Sequence, residues 1–482
     1  MYDAVIIGSG LGGLVCGALL AKAGKNVLVL ERQQQLGGCM QSYKRRGLSF
    51  DTGLHYIGGL GEGQRLHRAF SFLGLMQLPW HRLDAEGFDY VTVGERTFRF
   101  AEGFEQFADA LAEDFPQQRA ALRKYAQLLQ KVEESPLESQ DMYSMFGQSA
   151  YDYLSETFSD PLLVNVLAGT ALKMEVRRDT LPLFTFVHGN CSFVGSSWRL
   201  KGSGNLLVEA LADSIRRAGG QLICGVEAEE LLQRDGQLTA VRCKKGESYE
   251  GRVFISDVHP ALTFDMVKDG NLLRGIFRRR ISSIENTVGM FTVSLVLKPG
   301  ALRYFNHNKF VYSKPNVWTL TEETGGVGGV MLSARVPEDG SEFVRQIDLL
   351  TPMSWSRCQQ WQGTGIGRRG AEYDALKERL ADECVALAET VVPGLGGMVE
   401  QRYASTPLTW HDYTLTPAGS AYGMRKDWHN PMLTMLSPRT PIPNLLLTGQ
   451  NLLLHGVEGV TMTALQTCGE ILGKDYIQNI II

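Results

Sequence analysis

YDAVIIGSGLGGLVCGALLAKAGKNVLVLE, residues 2–31, spells out a strand, a turn, a helix and a second strand in one uninterrupted run. Tyr2 to Ile7 is apolar and rich in β-branched residues, as a buried strand is. Gly8, Gly10 and Gly13 fit the spacing G-x-G-x-x-G, and Leu14 to Ala23 carries helix-forming, small and apolar residues. Lys25 to Leu30 predicts the second strand, which closes on Glu31, 23 residues after Gly8. Each residue type has a task. Gly8 permits the tight turn, Gly10 lets a pyrophosphate approach the backbone, and Gly13 lets the helix pack close to the strand. Leu11 stands at the helix start, where unpaired N–H groups and the positive dipole end face phosphates. Glu31 lies about where an acid receives ribose hydroxyls. Arg32 leaves room for a 2′-phosphate, but a carboxylate at the strand end disfavours one. The unit therefore predicts a dinucleotide site.

Bulk properties fit a globular enzyme. The chain has 482 residues, enough for two or three domains, and 44% of them are hydrophobic, which permits a large core. The net charge of −4 carries no basic excess of the kind nucleic acid requires. Eight cysteines are scattered without a C-x-x-C pair, and the nine histidines show no metal-ligand spacing. Free thiols in a reducing, cytoplasmic setting and no metal are the expectations. The apolar N-terminus lacks the basic start of a signal sequence and is explained by the nucleotide unit. No run resembles the roughly 18 apolar residues of a membrane span.

The residues after Glu31 narrow the cofactor. A second glycine turn, Gln35-Leu36-Gly37-Gly38, comes next, and then Phe50-Asp51-Thr52-Gly53-Leu54-His55-Tyr56-Ile57-Gly58-Gly59. At the far end, Thr440 to Asn451 (TPIPNLLLTGQN) reads as a turn, a short buried strand and a glycine loop. His455-Gly456-Val457-Glu458-Gly459-Val460 then opens a helix to about Leu472. This order resembles the flavoprotein superfamily of amine oxidases, phytoene desaturases and Rab GDP-dissociation inhibitors. Within it, the three motifs resemble the phytoene desaturase, carotenoid isomerase and retinol saturase branch. The resemblance covers the whole chain, and it is specific at both ends and loose in the middle.

The resemblance implies an α/β fold, with a Rossmann-like FAD-binding domain interleaved with an α+β substrate-binding domain of mixed sheet and helices. The FAD-binding parts are expected at 1–75, 195–285 and 430–482, and the substrate-binding parts at 76–194 and 286–429. It also implies that Gly8, Gly10, Leu11, Gly13, Glu31, Arg32 and Gly38 serve the adenosine and pyrophosphate, with Val226 as a backbone contact to the adenine. Gly449, Gln450, Gly459 and Val460 would close over the flavin, with helix N–H groups favouring charge at its pyrimidine end. Two departures stand out. Cys39 replaces an arginine common in relatives, and Glu458 places an ionisable group where a small or apolar residue is expected.

Between the flavin ends the pattern predicts a hairpin over Phe88 to Phe100 and an interrupted helix over Phe104 to Glu134. Helical, aromatic-rich structure is expected over 150–190, and an amphipathic helix over Asn205 to Ala218. Strands are expected at Gln221–Val226, Arg252–Asp257, Gly289–Leu297, Val317–Leu320 and Val330–Ala334, with a helix over Tyr373–Val391.

The expected function is FAD-dependent oxidoreduction at carbon–carbon bonds of a hydrophobic polyene or isoprenoid lipid: saturation, desaturation or isomerisation. An FAD amine oxidase and a non-enzymatic lipid binder of the Rab GDP-dissociation inhibitor type are the alternatives. Hydride exchange at flavin N5 leaves the protein to place the substrate and handle a proton. Glu458 is the first catalytic candidate, and His55 with Tyr56 the second. NAD(P)H, quinone, oxygen and a partner flavoprotein are equally allowed as electron partners. Leu66–Trp80 and Asn271–Ser283 mix apolar residues with an interfacial pattern, so both are candidates for peripheral membrane contact and equally for core. The oligomeric state is left open.

Overall fold

Buried β-branched strands assemble first into a seven-stranded sheet around the nucleotide unit. In the computed structural model, which describes residues 1–136, 140–268, 270, 272–321 and 325–481, four strands run parallel to one another. They lie in the order Gln221–Cys224, Val27–Glu31, Tyr2–Ile7 and Ser248–Ser256, with Ile6 level with both Val29 and Ile255. Leu445–Leu447, from the far end of the chain, adds a parallel strand to Ser248–Ser256. Two antiparallel strands, Ala228–Arg234 and Gln237–Cys243, complete the sheet. Buried on both faces, the central strands read as continuous apolar runs, as parallel sheets require. The helix Leu11–Lys22 covers one face, between Asn205–Arg217 and Gly456–Leu472.

The second sheet also has seven strands, and it draws on both excursions. Its order is Val399–Ser405, Gly289–Leu297, Gln346–Met353, Gly329–Ala334, Asn308–Tyr312, Asp89–Val93 and Arg96–Phe100. All pairs are antiparallel except Asn308–Tyr312 with Asp89–Val93. One face packs on the helix Ala371–Glu389. The other meets a large aromatic core with the helices Arg119–Glu134, Ala150–Thr157 and Leu183–Gly195.

Several expectations change. Val317–Leu320 is not a strand: Val317–Thr319 is a 3-10 turn. Its side chains act as a plug. Trp318 is buried against Phe186 and Tyr151, and the Val317 N–H donates to Asn165 Oδ1 at 2.8 Å. In Leu66–Trp80, Leu66, Phe70, Leu73 and Leu75 are buried in the core, while Phe72, Met76, Leu78 and Trp80 are half-buried. In the second basic-apolar segment, Asn271 lies outside the described residues, and Gly275–Ser282 is a helix. Leu273 is buried there, while Ile276 is exposed beside Arg279 and Arg280.

Candidate active site

The glycine turn is shaped by close backbone approach. Gly8 has φ +96°, a region that L side chains rarely adopt, and a Cβ on Gly13 would collide with the Gly8 carbonyl oxygen. Glu31, at the end of the second strand, is buried and fixes the turn. Its Oε2 accepts from the Ser9 N–H at 3.0 Å and from Ser9 Oγ at 2.5 Å, and its Oε1 accepts from the Gln33 N–H at 2.7 Å. A carboxylate has about four lone-pair sites, so ribose hydroxyls can still be received.

A cavity of about 500 Å³ starts at this turn. Gly8, Gly10, Leu11, Glu31, Arg32, Gly38 and Val226 line its outer part, and Gln450, Gly459 and Val460 line it further in. Gly13 and Gly449 do not reach the wall. They stand behind it, where Gly449 (φ +89°) comes so close to Asp257 that a Cβ could not fit. The Val226 N–H donates to the Glu31 carbonyl at 2.9 Å, which leaves its carbonyl as the group free for an adenine. Arg32 is tied down, donating to the carbonyls of Asp412 and Tyr413 at 2.9 Å each. That anchoring disfavours a 2′-phosphate role and makes Arg32 a strut across the cavity mouth.

At the inner end the helix Gly456–Leu472 starts, with Glu458 in its first turn. Glu458 is not isolated. Arg65 Nη2 stands 3.1 Å from Glu458 Oε1 and 3.4 Å from Glu133 Oε2, so one guanidinium bridges two carboxylates. Gln64 Nε2 donates to Glu133 at 3.1 Å, and the Cys191 thiol donates to it at 3.3 Å. Burial, and then the charge of Glu458, push the Glu133 carboxyl up to about 7 against the pull of Arg65. Burial opposes the charge on Arg65, but the two carboxylates outweigh it and hold the guanidinium above its ordinary value. Two carboxylates and one guanidinium leave the cluster one negative charge in excess, which favours retention of a proton on it.

His55 and Tyr56 line the cavity, but each is engaged behind it. His55 Nδ1 stands 3.5 Å from Asp348 Oδ2, within a network where Arg335 pairs with Asp51 and Asp51 accepts from the Gly204 N–H. Tyr56 Oη donates to the buried Asp89 at 3.0 Å, and Asn308 Nδ2 donates to the other oxygen at 2.8 Å. Burial and Asp89 push the Tyr56 phenol far above its ordinary range. Tyr56 is thus tied to the wall by Asp89, while His55 lines the cavity beside Asp348.

Three residues given no role from the sequence join the site. Asp257 ends the strand Ser248–Ser256, and its carboxylate packs under the glycine turn. A Cβ at Gly12 would come within 2.6 Å of Asp257 Oδ1. Burial pushes Asp257 up to about 7, countered by the Gly13 N–H and reinforced by Glu31. Its signal was its position at the carboxyl end of a parallel strand, where doubly wound sheets place ligand contacts. His188 Nδ1–H donates to the Phe184 carbonyl at 2.8 Å, and burial and then the Arg65 charge push the ring down to about 3. Lys173 lines the inner cavity beside Phe193. A lone lysine within an apolar stretch was its only signal. Among the described residues no His, Cys, Asp and Glu group could hold a metal ion.

The narrow glycine cradle, the engaged but unsaturated Glu31 carboxylate and a helix start further in together fit a dinucleotide lying along the cavity. Residues 6–73 match the family model described as an NAD(P)-binding Rossmann-like domain. The chain is 26% identical to the human all-trans-retinol 13,14-reductase, over 98% of this chain and 86% of that protein. It is 22% identical to prolycopene isomerase 2, chloroplastic, of an Oncidium hybrid cultivar, over 93% and 80%. Among solved structures, putrescine oxidase bound to putrescine aligns with a TM-score of 0.68 at 13% identity, covering 98% of this chain and 99% of that one.

Proposed function

We propose that this chain, a member of the phytoene desaturase, carotenoid isomerase and retinol saturase family, is an FAD-dependent oxidoreductase that acts on carbon–carbon bonds of a hydrophobic polyene or isoprenoid lipid. The observation that carries the reading is one continuous cavity. It is lined by Glu31, by the start of the helix Gly456–Leu472 and by Phe193, Met290, Met331 and Leu350. The relatives named for retinol reduction and prolycopene isomerisation support the substrate class. The amine oxidase and lipid-carrier readings share the fold but lack that support.

In this reading Glu31 holds the adenosine ribose, the Gly8–Gly13 turn faces the pyrophosphate, and the Val226 carbonyl meets the adenine. Gln450 and the Gly459 and Val460 N–H groups border the flavin. Bound FAD supplies a hydride donor or acceptor at its N5 position. The chain's own work is to exclude water with its apolar wall and to present Glu458 as the group that exchanges a proton with the substrate. Arg65 orients that carboxylate, and Glu133 sets the charge around it. NAD(P)H, quinone, oxygen or a partner flavoprotein would complete the redox cycle. No helix among the described residues is long and apolar enough to cross a membrane. Delivery of a lipid substrate is assigned to peripheral contact through Ile276 and its neighbouring arginines.

Purified protein should be yellow, and heat should release FAD. Anaerobic photoreduction followed by mixing with retinoids, carotenoids and unsaturated lipids should reoxidise the flavin with an acceptor substrate, or isomerise one without net reoxidation. Chromatography of the extracted lipid distinguishes the two. A colourless protein that cannot be reconstituted with FAD would overturn the reading.

A further inference from the structure

Lys173 is a cation in an apolar chamber. It ends the 3-10 turn Ala171–Lys173, which packs against the strand Gln346–Met353, and its side chain lines the cavity. Its Nζ lies 4.0 Å from the centre of the Phe193 ring, a contact that steadies a cation without accepting a hydrogen bond. No oxygen of the described residues forms an ion pair or hydrogen bond with it. Asp89, the acid whose charge favours the ammonium, accepts from Tyr56 Oη and Asn308 Nδ2 and forms no ion pair with it. Burial draws the ammonium down to about 8, against the stabilising charge of Asp89. The residue is half-buried and faces the cavity, where an ammonium offers three donors to a ligand.

We propose that Lys173 is a head-group site: its ammonium pairs with the terminal carboxylate of an amphipathic lipid whose apolar chain lies against Phe193, Met331 and Leu350. This rests on the reading of the protein as a lipid oxidoreductase and narrows its substrates to acids. A polyene hydrocarbon would leave the ammonium unpaired, whereas a carboxylate gives it a charge-assisted hydrogen bond.

The test uses FAD-loaded parent, Lys173→Met and Lys173→Arg proteins at matched flavin content. Dissociation constants are measured by fluorescence quenching for all-trans-retinoate, all-trans-retinol and anhydroretinol, and by competition for palmitate. Lys173→Met should weaken retinoate roughly ten- to hundred-fold, as loss of a hydrogen bond to a charged group does. Lys173→Arg should recover most of that loss, and anhydroretinol should bind alike to all three. Unchanged retinoate binding in Lys173→Met, equal weakening of every ligand, or a loss confined to retinol would overturn the assignment, as would failure of all four to bind the parent. If palmitate alone binds, and does so through Lys173, the head-group site stands and the polyene reading falls.

Discussion

The two ends of the cavity are built by different means. At the nucleotide end, Glu31 is satisfied by Ser9 and Gln33, all within one βαβ unit. At the substrate end, Glu458 depends on Arg65 from a distant helix, and Arg65 in turn on Glu133 from another excursion. Local backbone holds the first acid, while long-range burial and charge govern the second. The first end is therefore a fixed cradle, and the second is an ion cluster assembled from distant segments.

The largest effect that would sharpen this contrast is at Glu458. Glu458→Gln should lower turnover by roughly 10²–10⁴-fold while flavin content stays intact, as expected for loss of a general acid or base. Stopped-flow flavin oxidation with substrate measures it, and superimposable pH–rate profiles for mutant and parent would remove the proton role. Glu31→Ala should act at the opposite end. FAD affinity should fall roughly ten- to hundred-fold, as for a lost charged hydrogen bond, with turnover per bound flavin nearly unchanged. Equilibrium dialysis reads the affinity, and undiminished retention would erase the difference between the ends.

Glu133 gives a smaller effect with a definite sign. Its carboxyl is raised from 4.5 to about 7. Between those values the folded protein keeps a proton that the unfolded chain releases, so this group's contribution to stability falls as pH rises through the window. It is fully present below 4.5 and lost above 7. Glu133→Gln should flatten that dependence and raise the apparent melting temperature at pH 8 by roughly a degree or two relative to pH 5, given the chain's size. Equal shifts at both pH values in differential scanning fluorimetry would place the proton elsewhere. Smallest of all, Ile276→Glu should reduce binding to anionic lipid vesicles a few-fold, as for the partial burial of one apolar side chain, and leave activity on detergent-solubilised substrate intact. Flotation assays decide it, and unaltered binding would separate this helix from any membrane role.

Much of the fold was legible. The hairpin at Asp89–Phe100, the helix Ala371–Glu389 and the helix starting at Gly456 follow from turn residues and apolar periodicity. Other elements were hidden for specific reasons. Gln346–Met353 contains Pro352 and a buried Asp348, which break the pattern of a strand although both sit inside one. The hairpin of Ala228–Arg234 and Gln237–Cys243 did carry a signal, Asp235-Gly236, whose residues adopt φ +53° and +80° at its turn. Trp318 misled because a buried anchor and a strand residue share the same composition.

By itself the sequence determined the nucleotide end. Its turn, its helix and its acid lie within thirty contiguous residues, and the backbone geometry they demand is local. Only the tertiary structure decided what meets the substrate. It joined the two excursions in one sheet, placed Arg65 between Glu133 and Glu458, and set Lys173 on the cavity wall beside Phe193. Electrostatic partnership depends on distance and burial rather than on separation along the chain, so it emerged only once the chain had folded.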